Sequence, residues 1–195
     1  KDFTDFAELC FKAFGDRVKL WITLNGPSIL SKLGYAIGKY APGRCSSWLN
    51  LNCTGGDSAT EPYIVTHHLL LAHASAVKVF REKYQSTQKG QIGIIHGTDW
   101  VVPMSQSKED IHAASRAMAF SLDWFMEPLH SGSYPAIMVD YVGERLPKFS
   151  EEQSDMLINS FDFIGLNYYS SCYAADTKCP TANKSYITDS CAELT

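Results

Sequence analysis

The spacing of apolar positions divides the chain into alternating helices and strands. Phe3, Phe6, Leu9, Cys10 and Phe14 recur at helical spacing and stop at Gly15. An apolar strand over Val18–Leu24 follows, within the run Lys19–Pro27, and is cut off by Asn25, Gly26 and Pro27. Residues 28–60 are rich in Gly, Ser, Asn and Pro, yet Tyr35, Tyr40 and Trp48 predict an ordered loop, and loops of this length inside domains are commonly functional. Thr60 is placed to cap the next helix, with Glu61 and Pro62 in its first turn and Leu69, His73, Ala76, Phe80 and Tyr84 along one face. A second strand runs from Gln91 to Gly97 and into Thr98, Asp99 and Trp100. Ser107 and Asp110 have capping-box spacing ahead of a helix through Ile111, Met118, Leu122 and Phe125. Gly132 and Pro135 break it, a short helix covers 135–145, and Ser150 with Gln153 opens another. The third strand spans Phe161–Tyr169, and residues 172–195 read as an irregular tail of the same domain.

Strands alternating with helices imply a parallel sheet with right-handed crossovers. Three strands leave two open edges, which predicts that 1–195 is part of a larger closed sheet. At the carboxyl ends of such strands ligands bind, so the end of the first strand is where chemistry is sought.

Composition narrows the classes of function. The chain has 195 residues, 45% hydrophobic and 19% charged, which calls for a packed core. A formal charge of −4 argues against nucleic acid and anionic membrane partners. No apolar run approaches the roughly 20 residues that span a bilayer. The sequence opens without Met and without a leader pattern, consistent with an internal piece. Six cysteines at 10, 45, 53, 172, 179 and 191 form no Cys-x-x-Cys pair, so no zinc site is expected. Cys45 and Cys53 stand close together in a loop where a short disulfide is feasible, and Asn52-Cys53-Thr54 and Asn183-Lys184-Ser185 fit the N-glycosylation pattern. Together these tilt towards the secretory pathway (vacuole, apoplast or endoplasmic reticulum); free thiols in a cytosolic protein are the alternative. His73, alone between alanines on a core-facing stripe, reads as structural rather than as a catalytic base.

Longer motifs carry a family likeness. Phe11-Lys12-x-Phe14-Gly15-Asp16-Arg17-Val18-Lys19-x-Trp21-x-Thr23-x-Asn25-x-Pro27 resembles the fourth-strand signature of glycoside hydrolase family 1. Ala41-Pro42-Gly43-Arg44-Cys45-Ser46, then Asn52 to Ser58, is similar to its plant β-glucosidase branch, of the cyanogenic type. Leu70 to Ala74, Trp124 to Leu129, Leu146 to Phe149 and Phe161 to Ser170 fit in the same order, so the likeness spans nearly all of 3–171.

The resemblance implies a (β/α)₈ TIM barrel of which this chain supplies roughly strands four, five and six. It also supports a Cys45–Cys53 disulfide. The implied substrate is a β-glucoside of a small aglycone, with no cofactor and no metal, and a homo-oligomer is compatible with the full-length protein. The implied chemistry is retaining hydrolysis by two carboxylates ~5 Å apart, one an acid/base and one a nucleophile. The family's acid/base is the Glu of an Asn-Glu-Pro triplet, and here that triplet is Asn25-Gly26-Pro27. The nucleophile's Thr-Glu-Asn-Gly motif is absent from these residues. By the same likeness Asn25 holds the sugar 2-hydroxyl, Tyr169 orients the nucleophile, Asn167 shares that strand end, and Trp100 lines the aglycone site or packs at the rim. Glycine supplies no proton, Ser28 is too weak an acid, and nothing in the pattern turns Asp99 inward. Loss of turnover in this copy follows as an expectation; a non-catalytic glycoside-binding or interaction homologue is the alternative.

Overall fold

A computed structural model describes all of residues 1–195. Its first helix, α1 (Asp2–Phe14), leads into β1 (Leu20–Asn25). The stretch after β1 is more structured than its composition suggests. Pro27–Ile29 forms a short helical turn, α2, continued by a π-turn over Leu30–Gly34, and Ser47–Leu49 makes a 3₁₀ turn. A Cys45–Cys53 disulfide fastens the loop, as the resemblance implied.

The long helix α3 (Glu61–Lys83) is followed by the single turn α4 (Gln85–Gln88) and then β2 (Gln91–Pro103). Thr60 does not cap α3 with its side chain, contrary to the sequence reading. Its hydroxyl instead donates to Asp57 Oδ2 at 2.7 Å, while Asp57 Oδ1 accepts from the Ala59 amide at 2.9 Å. Helix α5 (Lys108–Met118) is capped by Ser107 as anticipated and runs through a π-turn, Ala119–Asp123, into α6 (Trp124–Ser131). After α7 (Ala136–Val142), the Ser150–Gln153 capping box closes on both sides and opens α8 (Glu151–Leu157).

Strand β3 (Phe163–Asp176) overruns its expected end at Tyr169. The segment expected to be irregular contains the turn α9 (Tyr186–Asp189) and the strand β4 (Ala192–Leu194), which returns antiparallel onto β3. A second disulfide, Cys179–Cys191, closes this excursion. The sequence reading missed it because a polar tail rich in Thr and Ser has no hydrophobic period; two cysteines twelve apart were the available signal.

The sheet order is β1-β2-β3-β4, with β1, β2 and β3 parallel. Helices cover one face: Tyr63 and Leu70 of α3, Ile94 of β2, Trp124, Phe125 and Leu129 of α6 and Leu157 of α8 form the main core. The other face is uncovered, and Leu20, Ile22 and Tyr169 are exposed. On β3 and β2 the strands approach so closely that a Cβ on Gly165 would sit 2.5 Å from Ile95 Cγ1. A parallel sheet clothed on one side only is an open sector of a barrel, in line with the incomplete (β/α)₈ architecture.

Candidate active site

The carboxyl end of β1 and the middle of β3 bring two of the proposed binding residues, Asn25 and Asn167, together. Asn167 Nδ2 donates to Asn25 Oδ1 at 2.8 Å, bridging β1 and β3 across the intervening strand. Each amide thereby fixes the rotamer of the other, leaving further donor and acceptor capacity for a ligand. The register shifts between Ile22 and Asn25, and again between Thr98 and Trp100, so both strands are irregular where they reach the site. Such bulges re-aim side chains at the rims of sheets.

Gly26 directly follows Asn25. Its amide donates to Ile95 O at 2.8 Å, holding the residue against β2. Its backbone is left-handed (φ 63°, ψ 51°), and it is the residue from which α2 starts, with Pro27 as the first helical residue. A Cβ built there would meet Ile29 Cγ1 at 3.6 Å, ordinary contact distance. The site thus has room for a side chain where the sequence has none.

The carboxylates of Asp57, Asp99 and Asp176 are engaged with other groups. Between Gly26 and Thr60 the single acidic residue is Asp57, whose two oxygens are used in the turn before α3. Asp99 on β2 accepts from Ser170 Oγ at 2.7 Å, and Asp176 on β3 pairs with Arg116. Ser31 turns away, hydrogen-bonded to the Thr66 hydroxyl at 2.7 Å in the interior.

Tyr169 lies on β3 and is 85% exposed; Trp100 lies on β2 and is 58% exposed. Both rings stand in the open. Asn52 and Asn183 are likewise exposed. No cluster of three or more His, Cys, Asp or Glu side chains is placed to hold a metal.

His73 is structural, as its setting in the sequence suggested. It is fully buried, shares a 2.6 Å hydrogen bond with Thr23 Oγ1 behind β1, and burial holds its pKa down to about 3. His96 went unremarked in the sequence. It follows Ile92 and Ile94 on the buried face of β2, its ring centroid is 5.7 Å from that of Phe125, and neither ring nitrogen has a partner. Burial lowers its pKa to about 4. The two-residue alternation Ile92–Ile94–His96 was the available signal.

A parallel sheet covered by helices on one side, with an amide pair linking its first and third strands, is the architecture of a barrel sector. The model of glycosyl hydrolase family 1 matches residues 1–194, and the chain belongs to that family. It is 57% identical over its whole length to Beta-glucosidase 12 of Arabidopsis thaliana, covering 38% of that protein. It is 55% identical, again over its whole length, to the cyanogenic beta-glucosidase of Trifolium repens, covering 46% of it. Superposed on the crystal structure of the rice Os3BGlu6 beta-glucosidase, 99% of this chain matches 41% of that chain with a TM-score of 0.96 at 44% identity. The chain therefore spans about two fifths of the length of these relatives.

Proposed function

We propose that this chain is the central part of a retaining β-glucosidase-like protein acting on β-D-glucosides of small aglycones, and that this copy lacks the proton donor for the reaction. Asn25 and Asn167 hold the sugar, Tyr169 orients a nucleophile supplied outside residues 1–195, and Trp100 flanks the aglycone. Membership of glycosyl hydrolase family 1 supports the substrate class. A single-site mutant of rice Os3BGlu6, in a covalent complex with glucose from GA4GE, supports the view that an altered member of the fold can still take glucose.

The observation that carries the reading is Gly26: it follows Asn25, has space for a side chain, and has no uncommitted carboxylate on the neighbouring loops. A general acid contributes ~10²- to 10⁴-fold, because an alkoxide leaving group must be protonated as it departs. Exposed Asn52, in the loop closed by Cys45–Cys53, and exposed Asn183, in that closed by Cys179–Cys191, support a glycosylated protein of the secretory pathway.

The test compares the full-length protein carrying Gly26 with its Gly26→Glu variant on an alkyl β-glucoside. We expect slow or absent release of glucose from the first and at least ~10²-fold faster release from the second. Saturable glucoside binding without product from either protein would instead mark a binding homologue.

A further inference from the structure

Asn52 and Asn183 are both exposed, yet the residues that complete their triplets differ. Transfer of an oligosaccharide to asparagine requires the hydroxyl two residues further on as well as the amide, so both groups must be open to the transferase. Thr54, which completes Asn52-Cys53-Thr54, is exposed beside the Cys45–Cys53 bridge. Ser185, which completes Asn183-Lys184-Ser185, is fully buried.

The burial of Ser185 is enforced from several sides. Its hydroxyl caps α9 by accepting from the Ile187 amide at 3.2 Å, and its own amide donates to Thr188 Oγ1 at 3.1 Å. The α9 turn is itself held by residues far from it in sequence. The Tyr186 amide donates to Ser58 O at 2.9 Å, its hydroxyl donates to Phe120 O at 2.8 Å, and its ring stacks on Trp124 with centroids 4.9 Å apart. Asp189 accepts from Tyr63 and Arg145, and the Cys179–Cys191 disulfide closes around the whole triplet. Freeing the Ser185 hydroxyl therefore requires the segment to leave its partners, which is a local unfolding event. A glycan already on exposed Asn183 fits the finished fold, but the finished fold does not present the triplet for modification.

We infer that Asn52 is open to glycosylation in the folded protein, whereas Asn183 is modified only in chains whose residues 177–191 have not yet docked. This rests on the secretory-pathway reading above. In either case the donor is an oligosaccharide held on a lipid diphosphate. The asparagine Nδ2 bonds to its anomeric carbon, and the bond from that carbon to the diphosphate oxygen breaks. The electron pair leaves on the diphosphate, and the amide proton passes to a base of the host's oligosaccharyltransferase.

The experiment expresses the full-length protein behind a secretion signal in eukaryotic cells and reads glycan occupancy at each asparagine by peptide mass spectrometry. We expect Asn52 to be occupied in most chains and Asn183 in a minority. A pulse of dithiothreitol, which keeps Cys179 and Cys191 apart, should carry Asn183 to a majority while Asn52 stays high. Arg145→Ala, which loosens the hold on Asp189, should do the same. Val77→Ala, in the separate cluster of Phe11, Phe80 and Ile92, should leave both sites as they were. Equal occupancy of the two sites in the unaltered protein overturns the inference, as does a low Asn183 occupancy that neither reduction nor Arg145→Ala raises. If Val77→Ala raises Asn183 as much as Arg145→Ala does, general instability is the cause and the inference fails, while the glycoprotein reading stands. If neither asparagine is occupied under any condition, both fail.

Discussion

Gly26 combines two demands that ordinarily conflict. The chain turns there through a left-handed conformation (φ 63°), which glycine adopts freely and a side chain resists by about 1–2 kcal/mol. Gly26→Glu should therefore lower the melting temperature of the full-length protein by a few degrees while raising alkyl glucosidase activity, a trade visible by thermal unfolding and initial rates on the same sample. His96 makes the opposite case. Burying an imidazole with both nitrogens unpartnered costs about 1–3 kcal/mol, so His96→Leu, which fills the same core beside Phe125, should raise the denaturation midpoint. A lower midpoint would show that the imidazole has a role in the core.

Of the three buried histidines, His67, His73 and His96, the last two carry the large shifts and set a pH dependence. Burial depresses both, His73 to about 3 and His96 to about 4, from 6.5 in an open chain. Above pH 6.5 both states are neutral and the histidines cost nothing on titration. As pH falls below that value the unfolded chain takes up protons that the folded one refuses. Stability is then lost at up to about 1.4 kcal/mol per pH unit per ring, until the folded pKa values are reached. Urea melts between pH 7 and 5 should show this fall, and His96→Leu should shallow it.

At the level of elements, what could be read from the sequence followed a clear division. The helices capped by Ser107 and Ser150, and the apolar runs of β1 and β2, announced themselves through local chemistry and periodicity. Asn25 and Asn167 were legible through their motifs, though their mutual hydrogen bond, spanning 142 positions, was not. The tail was opaque because its local ties, the Cys179–Cys191 disulfide and the Ser185 cap of α9, carry no hydrophobic period, and its other contacts are distant. Arg116, almost buried, donates to the carbonyls of Ser190 and Cys191 at 2.8 Å, and Arg145 grips Asp189 with two hydrogen bonds of 2.7 and 2.8 Å. Such order depends on partners far along the chain. Arg145→Ala strands the buried Asp189 carboxylate and should cost about 3–5 kcal/mol in a denaturant melt. A loss below about 1 kcal/mol would show that Tyr63, which also donates to Asp189, suffices.

Across the whole molecule, one face of the sheet is clothed and the other is bare. Leu20 is 64% exposed and Ile22 46%, and β1 is an unpaired edge of the sheet. Open apolar edges recruit other chains. Residues 1–195 alone should therefore self-associate, seen as a concentration-dependent elution volume, and should release no glucose from an activated aryl β-glucoside. A monodisperse monomer, or steady turnover, would contradict the barrel-sector picture.

The Tyr63–Asp189 hydrogen bond joins groups 126 positions apart, the earlier within α3 and the later in the final turn. On a ribosome adding about 5–20 residues per second, α3 emerges roughly 6–25 seconds before its partner exists. Throughout that interval the Tyr63 hydroxyl lacks the carboxylate it meets in the finished fold, and the Arg145 guanidinium lacks it over the last 44 positions. The residues around Asp189 thus decide when this part of the helix layer can settle, and a nascent chain halted before Asp189 would present an unfinished core to whatever protein meets it first.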